Sequence, residues 1–525
     1  MSLLHLDSSS PLKDLLVHLE RWLPFLGFSP AQLGSAGVLP ILLAPGAFVY
    51  HFLRTKLFRA GERPPIVPHW IPWLGSAQQI QKDPDGLFRK ARRELGPVFG
   101  VRAFGTTLYH ITDPDLIVAI YKQPHVFGAS PMQATFLKQI FGLSLPASCE
   151  IDSIIESLHR QLSPTYFPPL ASDFLRHVRS EIDKLPANTP ISLRSIAIQP
   201  TRNADCGMLF GSSFLESRYN QEIVSAFETF SSSVPLLAVN FPASLMPATI
   251  AARQTLLDTL TAYIEAGLPE DASGLLKEFV ELAQNLGWST RDQAAYGLSL
   301  VWPLLANAPY AVYWLLAFHL HRPEGLAPLF REAISAIASG RDLAEVVRDS
   351  SVTPYLDACI NETIRIASDS YSMRWVAEGE HKLGGYVFKA GDQVACNLRG
   401  VHMDEGMYAQ PEKFEPERFM DGKEHVKGRF APFGGGFSVC SGRHLGLSQI
   451  KAFLIVLLSE FDIYLEDEEQ AVPAFSPSNR GFGMIRPLGD MKVRLMRRKY
   501  IFGPGHIVDS PLEEYPPGGS IFNHP

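Results

Sequence analysis

The stretch Phe430-Ala431-Pro432-Phe433-Gly434-Gly435-Gly436-Phe437-Ser438-Val439-Cys440-Ser441-Gly442-Arg443-His444-Leu445-Gly446-Leu447 sets one cysteine in a glycine-rich loop that runs straight into an apolar segment. Glycines at 434–436 let the backbone take positive φ and approach a flat ligand closely. The segment from about Gly442 to Phe461 reads as a helix, with its first amides aimed at the Cys440 sulfur. Those amides and the helix dipole favour a thiolate over a thiol. A thiolate held this way can serve as an iron ligand; the other reading is a buried free cysteine.

The spacing Phe433, Gly436, Cys440, Gly442 resembles the haem-binding signature of the cytochrome P450 family. The resemblance implies a thiolate bonded to haem iron, pushing electron density onto the metal to help cleave an O–O bond. It assigns Cys440 as the metal ligand, with Phe433 and Gly436 in the cofactor loop. One position departs. The family usually carries Arg or His two residues before the cysteine, facing a haem propionate. Here that residue is Ser438, so the propionate needs another partner.

The chain has 525 residues, 46% hydrophobic, which suits one large buried core. Its net charge is −7, which argues against a nucleic-acid partner. The five cysteines lack CxxC spacing, which points to a reducing compartment and away from zinc.

Residues 1–32 are mixed, and 15–28 read as a membrane-surface or a solvated helix. Residues 33–53 carry no Asp, Glu, Lys or Arg and reach the length of about 20 residues that spans a bilayer. Arg54, Lys56, Arg59 and Arg63 follow, which places the remainder in the cytosol. The segment reads as a single anchor, with a monotopic hairpin as the alternative. Residues 54–75 are basic and then proline-dense, a stiff extended connector. Beyond it the spacing predicts a helix over Asp85–Leu95 and strands on either side of Gly105-Thr106-Thr107. Asp152–Phe167 is predicted helical. The resemblance implies a basic side chain on it for a propionate, His159 or Arg160, with a surface pair as the alternative. Val234–Ile250 is apolar and Pro-rich, either a loop over a membrane-facing channel or plain core.

Apolar residues recur at helical spacing from Asp292 to His321, predicting one long helix. Pro303 and Pro309 cannot donate to the carbonyls of Ser299 and Leu305, so the helix must kink or open there. In the resembled family this helix crosses the distal haem face with an acid–alcohol pair that relays protons. This chain has Asn307 instead, similar to the branch of sterol 7-alpha- and 12-alpha-hydroxylases and prostacyclin synthase. The expectation is that Asn307 and a freed carbonyl hold water or a substrate oxygen and stand in for the relay.

Glu362 and Arg365 share one helical face at i, i+3. With Arg418 of Phe414-Glu415-Pro416-Glu417-Arg418-Phe419, the resemblance makes them a buried triad bracing the haem loop. It makes Arg374 a propionate ligand, His402 a second family position, and Phe482 and Met484 substrate contacts in the last hairpin. Gly384-Gly385 marks another hairpin. Arg429, Arg443, Lys427 and Lys451 form either a basic docking patch for a redox partner or a solvated face.

The expected architecture is mainly α with a small β lobe: residues 76–500 form a haem-thiolate catalytic domain, and 501–525 an irregular tail. The implied cofactor is haem b. The implied activity is monooxygenation of a lipophilic molecule such as a sterol, terpenoid or polyketide, at the endoplasmic reticulum membrane. An NADPH-dependent reductase would supply electrons. The alternatives are a haem-thiolate isomerase or dehydratase that needs neither dioxygen nor reductase, and a haem sensor or carrier without turnover.

Overall fold

The computed structural model describes residues 62–498 apart from 70, 72, 129–135, 145–150 and 421–428. The anchor segment 33–53, residues 1–32, the start of the connector, Lys427 and the tail 501–525 lie outside the described residues.

Most of the described chain is helical. The longer helices are α1 (Pro84–Leu95), α2 (Asp152–Gln161), α3 (Pro168–Asp183), α4 (Leu193–Phe210), α5 (Arg218–Ser232), α6 (Pro247–Glu265), α7 (Gly274–Asn285), α8 (Thr290–Ala306), α9 (Ala308–Leu320), α10 (Pro323–Ala338), α11 (Pro354–Ala367) and α12 (Arg443–Glu460). Their starts carry local signals. Asp83 caps α1 by accepting from Gly86 N, with Pro84 in the first turn, where its missing N–H costs nothing. Ser289 caps α8 by accepting from Asp292 N, and Asp292 in turn accepts from Ser144 N.

The main sheet follows the order β1-β2-β7-β4-β8, built from β1 (Val98–Ala103), β2 (Thr106–Ile111), β3 (Phe127–Gly128, on β4), β4 (Ser368–Val376), β5 (Glu380–Leu383) and β6 (Tyr386–Lys389) as a separate hairpin, β7 (Gln393–Asn397) and β8 (Phe482–Met484). β2 and β7 are parallel; the other pairings are antiparallel. The register Ser370↔Phe482 and Ser368↔Met484 fixes β8 along β4.

The proline-dense connector does not stand free. Val67 N donates to Gly100 O at 2.8 Å, Gly100 N to Pro65 O at 2.7 Å, and Ser76 N to Arg102 O at 2.7 Å. Residues 65–67 and 75–76 thus each pair with β1, and Arg63 is pinned to Asp392 at 2.7 Å. Val234–Ile250 resolves into a helical turn (Val234–Ala238), a 3-10 turn (Ala243–Leu245) and the start of α6. It is part core and part surface: Val234 is fully buried, whereas Leu245 is 67% exposed.

The core is helix against helix. α9 and α12 are buried along most of their length, and Trp314 at the centre of α9 donates to Ile485 O at 2.6 Å. Among the described residues, one stretch is long and apolar enough to cross a membrane, Thr290–Leu320, and 72% of its most apolar window is buried inside the domain.

Candidate functional site

A cavity of about 430 Å³ lies between α8–α9 and the Cys440 loop. Its distal wall is the junction of the two helices. The sequence suggests one kinked helix from Asp292 to His321; the structure has two helices meeting at Asn307 (φ −116°, ψ −67°). Pro309 falls in the first turn of α9, where its lack of N–H is harmless. Leu300, Pro303, Leu304, Asn307, Ala308 and Ala311 face the cavity.

The Leu305 carbonyl and the Asn307 side chain at the break have protein partners. The Leu305 carbonyl accepts from Arg202 Nε at 2.9 Å, and Arg202 is neutralised by Glu228 at 2.6 Å. Asn307 Nδ2 donates to Pro303 O at 2.9 Å, and Asn307 Oδ1 accepts from Met484 N at 3.0 Å. At Leu305 the expected free carbonyl for water is therefore corrected: α4 supplies Arg202 to it. Asn307 retains one N–H and one lone pair.

On the opposite wall, Cys440 N donates to Phe433 O at 2.9 Å and closes the loop. Gly436 (φ +67°) turns the chain there, and a Cβ on it would stand 3.0 Å from Tyr121 O, so glycine is demanded by both conformation and space. Gly442 precedes α12. Burial raises the Cys440 thiol pKa, while the Gly442 and Arg443 amides and the Arg443 guanidinium pull against it. The helix terminus alone thus does not make a thiolate; a bound cation would complete the balance. The accessible face of Cys440 opens onto the cavity it lines. Among the described cysteines, 206, 359 and 396 are buried and line no part of the cavity; Cys359 sits 3.4 Å from His319 Nε2.

At the edge of the cavity Arg374 is 2% exposed. It donates to Ser438 Oγ (2.6 Å), Met373 O (2.8 Å), Ser372 Oγ (2.9 Å) and Gly435 O (3.3 Å), with the Tyr121 ring 5.2 Å away. All four acceptors are neutral. A buried guanidinium with no carboxylate among the described residues is costly and marks a place for an anion. Ser372 and Ser438 themselves line the cavity.

The profile of the cytochrome P450 family matches residues 309–493. Similar curated proteins include cholesterol 7-alpha-monooxygenase of Cricetulus griseus (24% identity, covering 83% of this chain and 94% of the relative). Others are 24-hydroxycholesterol 7-alpha-hydroxylase of Mus musculus (24%, 83% and 93%) and 7-alpha-hydroxycholest-4-en-3-one 12-alpha-hydroxylase of Homo sapiens (24%, 82% and 92%). By that match and by these relatives, the chain is similar to the cytochrome P450 family of haem-thiolate monooxygenases. The cofactor of a P450 is haem with a cysteine thiolate on the iron. The cavity suits it: a lone sulfur on one wall, a buried cation at the edge with no carboxylate partner among the described residues, and otherwise mostly apolar side chains.

Three residues expected behind the cysteine loop come together in a buried cluster against segments 402–415. Glu362 and Arg365 are both 0% exposed. Arg365 donates to the two Glu362 oxygens at 2.7 and 2.8 Å and to the carbonyls of His402 (2.7 Å) and Pro411 (2.8 Å). Arg418 Nε lies 3.4 Å from Glu362 and its Nη2 2.6 Å from Glu415. His402 is buried and its pKa depressed to about 3, by burial first and then by Arg365 and Arg399; its Nε2 accepts from Ala431 N. It steadies the loop rather than lining the cavity.

Other expected residues are distributed unevenly. Phe433, Phe482 and Met484 line the cavity; Gly436 does not. The structure leaves His159 on the exposed face of α2, and Arg160 pairs with Glu278. Leu158 and Leu162 are the residues α2 turns inward, because three- and four-residue spacing puts them on the buried face. Lys451 is buried against Asp357 at 2.6 Å, which removes it from any docking patch. Of the stretch Ser370–Trp375, which the resemblance runs past the haem edge, Ser370, Tyr371 and Ser372 line the cavity; Ser368 and Gln449, not singled out from the sequence, line it too. The period-2 pattern Ser368-x-Ser370-x-Ser372 on one strand face was the available signal. Gln449 donates to buried Asp205 at 2.6 Å, and burial pushes that carboxyl well up.

Proposed function

We propose that the chain is a P450 that hydroxylates a sterol or a similarly shaped fused-ring lipid, with dioxygen and NADPH-derived electrons from a reductase. One observation carries the reading: Cys440 faces an apolar cavity across from a helix break, with Arg374 buried and uncompensated at its edge. In this reading Cys440 ligates the iron, Arg374 holds a propionate, Glu362, Arg365 and Arg418 fix the loop, and Phe482 and Met484 touch substrate. When bound, haem supplies dioxygen activation and C–H oxidation. The apolar walls exclude bulk water and leave a hydrocarbon skeleton few places to hydrogen-bond, so shape dominates its orientation. The spare N–H of Asn307 is a polar anchor for a water or a substrate oxygen there.

The names of the similar proteins, which specify cholesterol, 24-hydroxycholesterol and 7-alpha-hydroxycholest-4-en-3-one, support the choice of sterols over terpenoids or polyketides. Residues 33–53 would anchor the chain in the endoplasmic reticulum membrane, with the domain cytosolic. Exposed Ile71, Trp73 and Leu245 favour a membrane contact beside the connector, since Trp73 packs on Phe104 and Phe104 on Phe241, with ring centroids 5.3 and 5.2 Å apart.

A spin-state titration across sterols, terpenoids and polyketides tests the substrate class: sterols shift the spectrum at the lowest concentration. A panel in which only non-sterols shift it would contradict the choice. A second reading, rearrangement of an oxygenated substrate without dioxygen, is favoured by Asn307, which offers no carboxyl or hydroxyl for proton transfer. Substrate-dependent consumption of NADPH and dioxygen with a reductase supports hydroxylation; turnover without either supports rearrangement.

A further inference from the structure

The substrate-facing tip of this P450 is held at both ends. At its start Arg480 pairs with Asp85 at 3.0 Å and Asp369 at 3.3 Å. At its end Met484 N donates to Asn307 Oδ1 at 3.0 Å. The same carboxamide donates to Pro303 O at 2.9 Å, so one side chain ties β8 to the break between α8 and α9. Between the two anchors Phe482 projects into the cavity, its ring centroid 6.4 Å from that of Trp302. Gly483 (φ +125°) lies so close that a Cβ on it would stand 2.2 Å from Asn307 Oδ1.

The chemistry of this tie is restrictive. It needs a donor and an acceptor at the same end of a side chain of this length. An aspartate keeps the bond from Met484 N but sets a carboxylate oxygen against the Pro303 carbonyl. A threonine hydroxyl bonds back to the carbonyl four residues earlier and stops short of β8. The acid–alcohol pair and the tie exclude one another at this position.

We infer that Asn307 is a positioning residue that latches the Phe482–Met484 tip to the broken distal helix and so sets the shape of the distal cavity. The inference rests on this cavity being the substrate site of a haem-loaded P450. Ligands that extend up to the tip depend on the latch; ligands confined to the iron do not.

The test is a spectral titration of the holoenzyme with two iron-binding azoles, imidazole and the bulky clotrimazole. Asn307→Ala removes the latch from the helix side, and Gly483→Ala displaces the carboxamide from the strand side. Each variant is expected to change clotrimazole affinity about tenfold, to leave imidazole affinity within about twofold, and to retain its haem. The double variant is expected to match the single variants, since both break the same contact. Additive effects in the double variant, an unchanged clotrimazole affinity, or equal losses for both azoles would overturn the latch. A wild-type enzyme showing no imidazole shift would instead overturn the haem reading on which it rests.

Discussion

Glu362→Gln tests the buried Glu362–Arg365–Arg418 cluster, proposed above to fix the cysteine loop, with the smallest possible change of shape. The carboxylate is 0% exposed, accepts from Arg365 Nε and Nη2 at 2.7 and 2.8 Å and from Glu415 N at 2.9 Å, and lies 3.4 Å from Arg418. An amide in its place turns one NH2 toward a donor and leaves Arg365 buried with its charge uncompensated. Removing one partner of such a pair costs roughly 3–5 kcal/mol, a large share of the 5–15 kcal/mol typical of folded proteins. Arg418→Leu should cost less, because Arg418 meets Glu362 only at 3.4 Å and leans on Glu415 at 2.6 Å. The assay is the urea concentration at which half of the thiolate-type reduced-CO signal is lost. With a denaturant slope of about 3–4 kcal/mol per molar for a domain of this size, Glu362→Gln should lower that midpoint by about 1 M. A Glu362→Gln midpoint within a few tenths molar of wild type, or a larger loss in Arg418→Leu, would refute the assignment of Glu362 as the hub.

Arg374→Leu should sharply reduce haem retained through gel filtration, with Arg374→Lys intermediate because an ammonium cannot reproduce the four-acceptor fork. His159→Ala should leave haem content unchanged, since α2 turns that side chain to solvent. Arg202→Met should weaken the helix break by unpairing the buried Leu305 carbonyl, a cost of about 1–3 kcal/mol visible as a lower urea midpoint. Burial pushes Asp85 up, but the Arg399 and Arg480 guanidiniums outweigh it and hold the carboxyl at about 2, below its ordinary value. Its contribution to stability is therefore present above about pH 4 and lost as pH falls toward 2; Asp85→Asn should be less stable at neutral pH and should lose part of this acid sensitivity.

Local chemistry made much of this legible in the sequence. The cysteine loop, the α1 and β1–β2 segments and the Glu362–Arg365 pair follow from short-range spacing, and the structure joins that pair to Arg418. Cavity-facing Phe433, Phe482 and Met484 were likewise anticipated. What escaped depended on long-range packing. Nothing near Leu305 in sequence announces that Arg202, on another helix, will take its carbonyl. The two prolines announce a break but not its position, because Pro309 is equally at home inside a kink and in a new first turn. His159 sits one residue from Leu158, and only the packing of α2 decides which of them faces inward. Lys451 looks like a surface charge until Asp357 is brought 2.6 Å away.

The central claim is that the Cys440 sulfur is bonded to the haem iron. X-ray absorption at the iron edge of the purified holoenzyme, compared with a Cys440→His variant, tests it most directly. The account predicts one sulfur in the wild-type iron shell and none in Cys440→His, with sulfur retained when Cys206, Cys359 or Cys396 is changed to Ala. Sulfur persisting in Cys440→His, or a wild-type shell of nitrogen and oxygen alone, would contradict it.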